Sequence, residues 1–157
     1  TGYGGYLFPF TGEAQVNFHA PAFTLPFTVS HEVAHQLGFG SESEANLIGY
    51  LVGKQSTAAL LQYSTYAEMH DYAVSDMWVR DSVLAKQRYK EMPYMLQLHR
   101  KEMRQWVMEH KHPAQQWLNW IYERYLWSNN QPQGLQSYNR VVAWLIAYGK
   151  KYGWHQL

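Results

Sequence analysis

The chain has no cysteine, so disulfide bonds and thiolate zinc sites are excluded, while the redox compartment stays open. It has no run of about eighteen apolar residues and no secretory signal pattern, so nothing within it is expected to span a membrane. Charge is also scarce, because a formal net charge of +1 gives no electrostatic footprint for nucleic acid. What is present is sequence for one ordinary domain, residues 1–157, rich in tryptophan and tyrosine.

The most informative stretch is H-E-V-A-H at residues 31–35, an H-E-x-x-H pattern. Residues four apart on a helix project from the same face, so His31 and His35 can hold one metal ion. Glu32 follows the first histidine, where zinc peptidases place the general base that activates water. The pattern therefore predicts a metal-binding helix that carries its own base.

The residues after this motif predict a tight turn into a second helix. Gly38 suits the left-handed residue that closes a helix, and Ser41 with Glu44 three residues later forms a capping box. This turn brings the start of the second helix beside His35, where a carboxylate can supply a third zinc ligand. Glu42 and Glu44 compete for that role, and the capping position of Glu44 favours Glu42.

Residues 42–46, E-S-E-A-N, resemble the E-x-x-A-D or E-x-x-A-N signature of glutamate-ligand zincins. These include the neprilysin-like and ImmA/IrrE-like peptidases. The resemblance implies that Glu42 binds zinc, that Ala45 is a small packing residue, and that Asn46 orients a ligand imidazole through its second nitrogen.

The spacing of the third ligand departs from many of those peptidases, because Glu42 follows His35 closely in sequence. This compact spacing is similar to the H-E-x-x-H-x-x-G-x-x-H run of metzincins, with Gly38 at the matching glycine. Ser41 stands where their third histidine would be, so the metzincin scheme fails at that ligand. The site combines features of both patterns.

Segments over most of the chain resemble an uncharacterised family of bacterial membrane-anchored zinc peptidases, namely residues 12–17, 25–31, 63–64 and 134–142. Members of that family typically carry N-terminal transmembrane helices ahead of this domain. The chain begins with Thr1 rather than Met. We therefore expect a soluble fragment of a longer membrane-anchored parent, on a side of the membrane that the sequence leaves open.

The fold class expected is mainly α, a zincin-like helical domain with a short N-terminal strand or edge hairpin. Alternation from Glu13 to Phe18 predicts the strand, which either binds extended substrate beside the metal helix or is a simple edge or cover. Pro26 suits the first turn of the metal helix. Further helices are expected over 56–74, 76–91, 94–111, 114–128 and 137–151.

Zincins often add a tyrosine or histidine donor opposite the metal, which stabilises the oxyanion. Tyr138 is the first candidate, because it opens the last helix after a loop, and Tyr63 is the second. A buried tyrosine with a satisfied hydroxyl is the alternative for either. Ordinary roles are expected for the histidines without a ligand-spaced partner, which include His19, His70, His99 and His155.

Together these features predict a zinc-dependent metallopeptidase that acts on a peptide or protein, with Glu32 as base and Tyr138 as the candidate oxyanion donor. His31, His35 and Glu42 would hold zinc, although this donor set also suits other divalent ions. The first alternative is a non-catalytic zinc-binding or sensor domain of the same fold, and the second is a helical interaction module with a coincidental motif. No nucleic acid partner is expected, and membrane contact only through segments absent from this chain.

Overall fold

A computed structural model describes residues 4–8, 11–110 and 138–154, and only the backbone of residues 138 and 139. Within these ranges the chain is mainly helical with one N-terminal antiparallel hairpin, so the predicted fold class is confirmed. The strands are β1, Gly5–Phe8, and β2, Glu13–Val16; the helices are α1, Leu25–Gln36; α2, Glu42–Gln55; α3, Ala59–Arg80; α4, Ser82–Glu91; α5, Tyr94–Glu109; and α6, Tyr138–Tyr152.

None of the helices in the described ranges combines the length and the apolar character that a membrane crossing requires. The helix predicted over 114–128 lies outside the described residues.

The hairpin lies against α1, and both of its strands contact that helix. The Asn17 amide donates to the Gly4 carbonyl at 2.8 Å, which closes the open end of the hairpin. At the turn, the Gln36 side-chain amide donates to the Gly12 carbonyl at 2.9 Å and ties the hairpin to the last turn of α1. The predicted strand is therefore present, but it ends at Val16 because the chain turns at Asn17 to Ala20.

The first turn of α1 is held by another helix. Pro26 lies in that turn, as predicted. Thr24, the N-cap residue, does not cap the helix with its side chain, because its hydroxyl donates to the Pro21 carbonyl at 2.8 Å. The buried Phe27 amide instead donates to the Ser64 hydroxyl oxygen of α3 at 3.1 Å. A side chain distant in sequence thus satisfies a free N–H group that would ordinarily be satisfied by the helix's own N-cap.

We expect Ser64→Ala to lower the free energy of unfolding by about 1–2 kcal/mol, because it leaves the buried Phe27 N–H without an acceptor. Denaturant titration monitored by circular dichroism measures the change. Ser30→Ala is the matched control, since the Ser30 hydroxyl only donates back to the Pro26 carbonyl within its own helix. Equal losses in the two variants would contradict a capping role for Ser64.

The boundary between the third and fourth helices differs from the prediction. The apolar pattern predicts a break between two helices near residue 75, but α3 continues to Arg80 and the break falls at Asp81. The Asp81 carboxylate accepts from the amides of Val83 and Leu84 at 3.1 and 2.9 Å. This N-cap starts α4 and thereby sets the boundary, whereas no glycine or proline interrupts the preceding stretch.

The core joins four helices, including the two that carry the candidate metal ligands. Phe27 of α1, Tyr50 of α2, Met69 of α3 and Val141 of α6 form one buried cluster. Burial of large apolar side chains is the main stabilising contribution in such a core. The cluster therefore fixes α1 and α2, which carry the candidate metal ligands, against α3 and the C-terminal helix.

Candidate metal centre

The turn between α1 and α2 has the geometry that its sequence predicts. Gly38 has φ 98°, a left-handed conformation that favours glycine. The Glu44 amide donates to the Ser41 hydroxyl oxygen at 3.2 Å, and the Ser41 amide donates to the Glu44 carboxylate at 3.4 Å. The predicted capping box is thus confirmed, and it engages the Glu44 side chain at the start of α2.

Three side chains meet across this turn. His31 Nε2 lies 3.1 Å from His35 Nε2 and 3.2 Å from Glu42 Oε2, and His35 Nε2 lies 3.6 Å from Glu42 Oε1. A tetrahedral zinc site with bonds of the usual length has ligand–ligand edges of about 3.3 Å. The three side chains are therefore positioned to hold a metal ion. Among the described residues, no other group of histidine and acidic side chains is arranged in this way.

The tautomer of His35 suits a metal ligand. A carbonyl oxygen only accepts hydrogen bonds, so the 2.8 Å contact with the Phe39 carbonyl places a proton on His35 Nδ1. Phe39 is itself held by a bond from its amide to the Ala34 carbonyl at 3.2 Å. In neutral His35 the lone pair is then on Nε2, which faces His31 and Glu42.

The prediction for Asn46 is neither confirmed nor contradicted by the contacts of its side chain. Asn46 is buried, and within the described residues its Nδ2 and the buried Nδ1 of His31 each lack a hydrogen-bond partner. Phe39, rather than Asn46, holds the second nitrogen of His35. An orienting role for Asn46 therefore stays a prediction, and His31 is the imidazole left for it.

The charges of Glu42 and of the two imidazoles stabilise one another. Burial alone would raise the pKa of Glu42, but hydrogen bonds and charge from His31 and His35 outweigh it and hold that pKa well below its usual range. Burial tends to lower the pKa of His35, but Glu42 and the Phe39 carbonyl raise it overall. The cluster thus favours positive charge opposite its carboxylate, and a divalent cation can replace the protons that supply it.

Glu32, the residue that directly follows His31, lies beside this cluster. Glu32 is only 6% exposed, although it is an acidic residue. Burial raises the pKa of Glu32, the two imidazoles oppose that rise, and the Glu42 charge adds to it. A carboxylate with a raised pKa is better suited than an ordinary one to accept and return a proton near neutral pH.

Sequence reasoning missed a fourth acidic residue near the site. Glu68 of α3 lies close enough to His31 for the imidazolium charge to lower its pKa. Burial dominates and raises the pKa of Glu68 to about 7, with Asp71 adding to the rise and a hydrogen bond with Tyr72 opposing it. The sequence gives little signal for Glu68, because it is one of several acidic residues of α3 and lies far along the chain from the motif.

The two tyrosine candidates are not brought to the cluster by any described contact. The Tyr63 hydroxyl pairs with His99 Nδ1 at 2.5 Å, and the His99 ring stacks on Phe23 at a centroid distance of 4.3 Å. The side chain of Tyr138, the first residue of α6, lies outside the described residues. The oxyanion role of either tyrosine therefore stays a prediction.

Comparison with known proteins gives one match. A protein-family model described as "Protein of unknown function (DUF3810)" matches residues 1–146, which is nearly the whole chain. No curated protein matches the chain. No solved structure matches it.

Proposed function

The chain belongs to this family of unknown function, DUF3810, and we propose that it is a zinc-dependent metallopeptidase that hydrolyses a peptide or protein substrate. One observation supports the proposal most strongly. The Nε2 atoms of His31 and His35 and the carboxylate of Glu42 form a triangle with edges of 3.1, 3.2 and 3.6 Å, and Glu32 lies beside it.

Zinc is the metal that these residues fit best. Two neutral imidazoles and one carboxylate form a common catalytic donor set, which keeps a fourth position open. When bound, zinc would lower the pKa of water from about 15.7 toward 7 and polarise the substrate carbonyl. The same donors accept other divalent ions, so the identity of the bound metal has to be measured.

The residues of the chain would divide the reaction between them. Glu32 accepts a proton from the attacking water and later gives it to the leaving amine. The Phe39 carbonyl keeps His35 in the tautomer that binds metal. We propose that the side-chain oxygen of Asn46 plays the corresponding role by accepting from the buried Nδ1 of His31, which has no other partner among the described residues. Tyr138 is proposed to support the oxyanion. The parent protein is expected to reach a membrane through segments outside this chain.

A non-catalytic metal-binding or sensor domain is the main alternative. A closed site would need a fourth protein ligand, and Glu44 was the nearest candidate in the sequence. The capping contacts of Glu44 with Ser41 argue against that arrangement and favour a position left open for water. This contrast between Glu42 and Glu44 is what favours the enzyme over the sensor.

Metal content is the first test. Elemental mass spectrometry of the purified chain, without added zinc, is expected to find about one zinc per molecule. Zinc-loaded protein is then incubated with fluorescein-labelled casein, and release of labelled peptides is measured with and without a chelator. Zinc without hydrolysis would favour the non-catalytic alternative, and no tightly held metal after zinc is offered would favour a helical module with a coincidental motif.

A further inference from the structure

The backbone of β1 packs directly on the side chain of Glu32. A Cβ atom built on Gly5 would lie 2.8 Å from both Cγ and Cδ of Glu32, and closer still to its Oε1. Distances below 3.0 Å are ones that real Cβ atoms essentially never show. Any side chain at position 5 would therefore overlap the carboxyl group of Glu32.

Neither the strand nor the helix can easily move apart to relieve that overlap. The hairpin is closed by the Asn17 amide on the Gly4 carbonyl, and it is tied to α1 by Gln36 on the Gly12 carbonyl. Glu32 itself is almost fully buried on α1, a helix whose N-terminus is held by Ser64. The part that can yield is the Glu32 side chain, whose carboxylate would be displaced.

We propose that Gly5 is a positioning residue for hydrolysis. The backbone of β1 at Gly5, which carries no side chain, packs against the Glu32 carboxylate and holds it beside the three candidate metal ligands. The inference rests on the proposed function, because Glu32 is there the general base. Glycine is required here for close approach of the backbone, and not for a left-handed conformation, since Gly5 lies in a regular strand opposite Val16.

Gly5→Ala tests the inference, with Gly4→Ala as the matched control. A Cβ on Gly4 would meet only Thr28, at an ordinary contact distance of 3.6 Å. Both variants are measured as the full zinc-loaded chain, for zinc content and for kcat and KM on fluorescein-labelled casein. We expect Gly5→Ala to lose roughly 100-fold in kcat with KM and zinc content unchanged, because a displacement of about 1 Å is costly at a reacting group. Gly4→Ala is expected to match the unsubstituted chain in zinc content, kcat and KM.

A thermal-unfolding cycle tests the contact without reference to activity. Gly5→Ala is expected to lower the Tm by about 2–4 °C relative to the unsubstituted chain. In a Glu32→Ala background the same change is expected to leave the Tm unchanged or raise it, because alanine in a strand restricts the unfolded chain and now meets no carboxylate. Gly4→Ala should behave alike in both backgrounds.

The outcomes separate the inference from the function on which it rests. Equal casein hydrolysis by Gly5→Ala and Gly4→Ala would overturn the positioning role, as would equal Tm losses for Gly5→Ala in both backgrounds. If the zinc-loaded, unsubstituted chain does not cleave casein, the proposed function fails and the catalytic part of the inference fails with it. The Tm cycle then still decides whether Gly5 and Glu32 are coupled.

Discussion

Replacing Glu32 with glutamine is expected to leave about one zinc bound per chain while casein hydrolysis falls by roughly 10²–10⁴-fold. Glutamine has nearly the same shape as glutamate, so it fits the buried position beneath β1. Its amide cannot accept a proton from water or return one to the leaving amine. The variant therefore separates metal binding, which needs His31, His35 and Glu42, from the chemistry of the base.

The measurement combines elemental mass spectrometry with initial rates on fluorescein-labelled casein, at equal zinc occupancy. Glu91→Gln is the control, because Glu91 is an exposed carboxylate that pairs with Arg88 on the surface of α4. This substitution removes one glutamate outside the site, and the variant is expected to hydrolyse casein at the same rate as the unsubstituted chain. Hydrolysis retained by the Glu32 variant would refute its assignment as the base, even if zinc remained bound.

Replacing His35 with alanine is expected to abolish zinc binding and hydrolysis together. The remaining imidazole and carboxylate, 3.2 Å apart, cannot define a three-ligand site. In the unsubstituted chain, zinc at 100 times its dissociation constant would stabilise the fold by about 2.7 kcal/mol, since it binds only the folded chain. For a domain of this size that corresponds to a rise in Tm of about 5–10 °C. The variant should show no such rise.

Thermal unfolding with and without zinc, followed by metal analysis after dialysis, measures both effects. His19→Ala is the control, because His19 is exposed and is not one of the three clustered side chains, so the zinc-dependent rise should stay intact. A full zinc response in His35→Ala would contradict the assigned ligand set, whatever the activity showed.

A glutamate pair extends the same experiment to the third ligand. Glu42→Gln replaces a carboxylate that lies 3.2 and 3.6 Å from the two imidazoles, so it should weaken zinc binding strongly. Glu44→Gln retains the residue type that capping boxes accept and should keep both zinc and the helix start. Zinc loss in the Glu44 variant alone would reverse the assignment of the third ligand.

The local features of the site were predictable because each depends on residues within one or two helical turns. His31 and His35 share a face by helical periodicity, and Gly38 can adopt the conformation that ends α1. Ser41 and Glu44 cap α2 through contacts three residues apart. The choice of Glu42 over Glu44 followed from the same local reasoning, and the distances to the imidazoles agree with it.

The helix boundaries show where local reasoning ends. The pattern of apolar residues predicted helices on both sides of residue 75, but it contained no signal strong enough to place the break. Asp81 sets it, through two hydrogen bonds that an aspartate forms only when the chain there leaves the helical conformation. Residue type alone did not distinguish Asp81 from acidic residues inside helices, such as Asp76.

By itself, the sequence determined the motif helix, the turn and the capped second helix, because backbone preferences and short-range hydrogen bonds specify them. Only the tertiary structure decided that Ser64 holds the start of α1, that Glu68 lies near His31, and that Gly5 packs on Glu32. Each of these contacts joins segments far apart in the chain. They depend on how α3 and the hairpin pack against α1, and the periodicity of any one segment does not encode that packing.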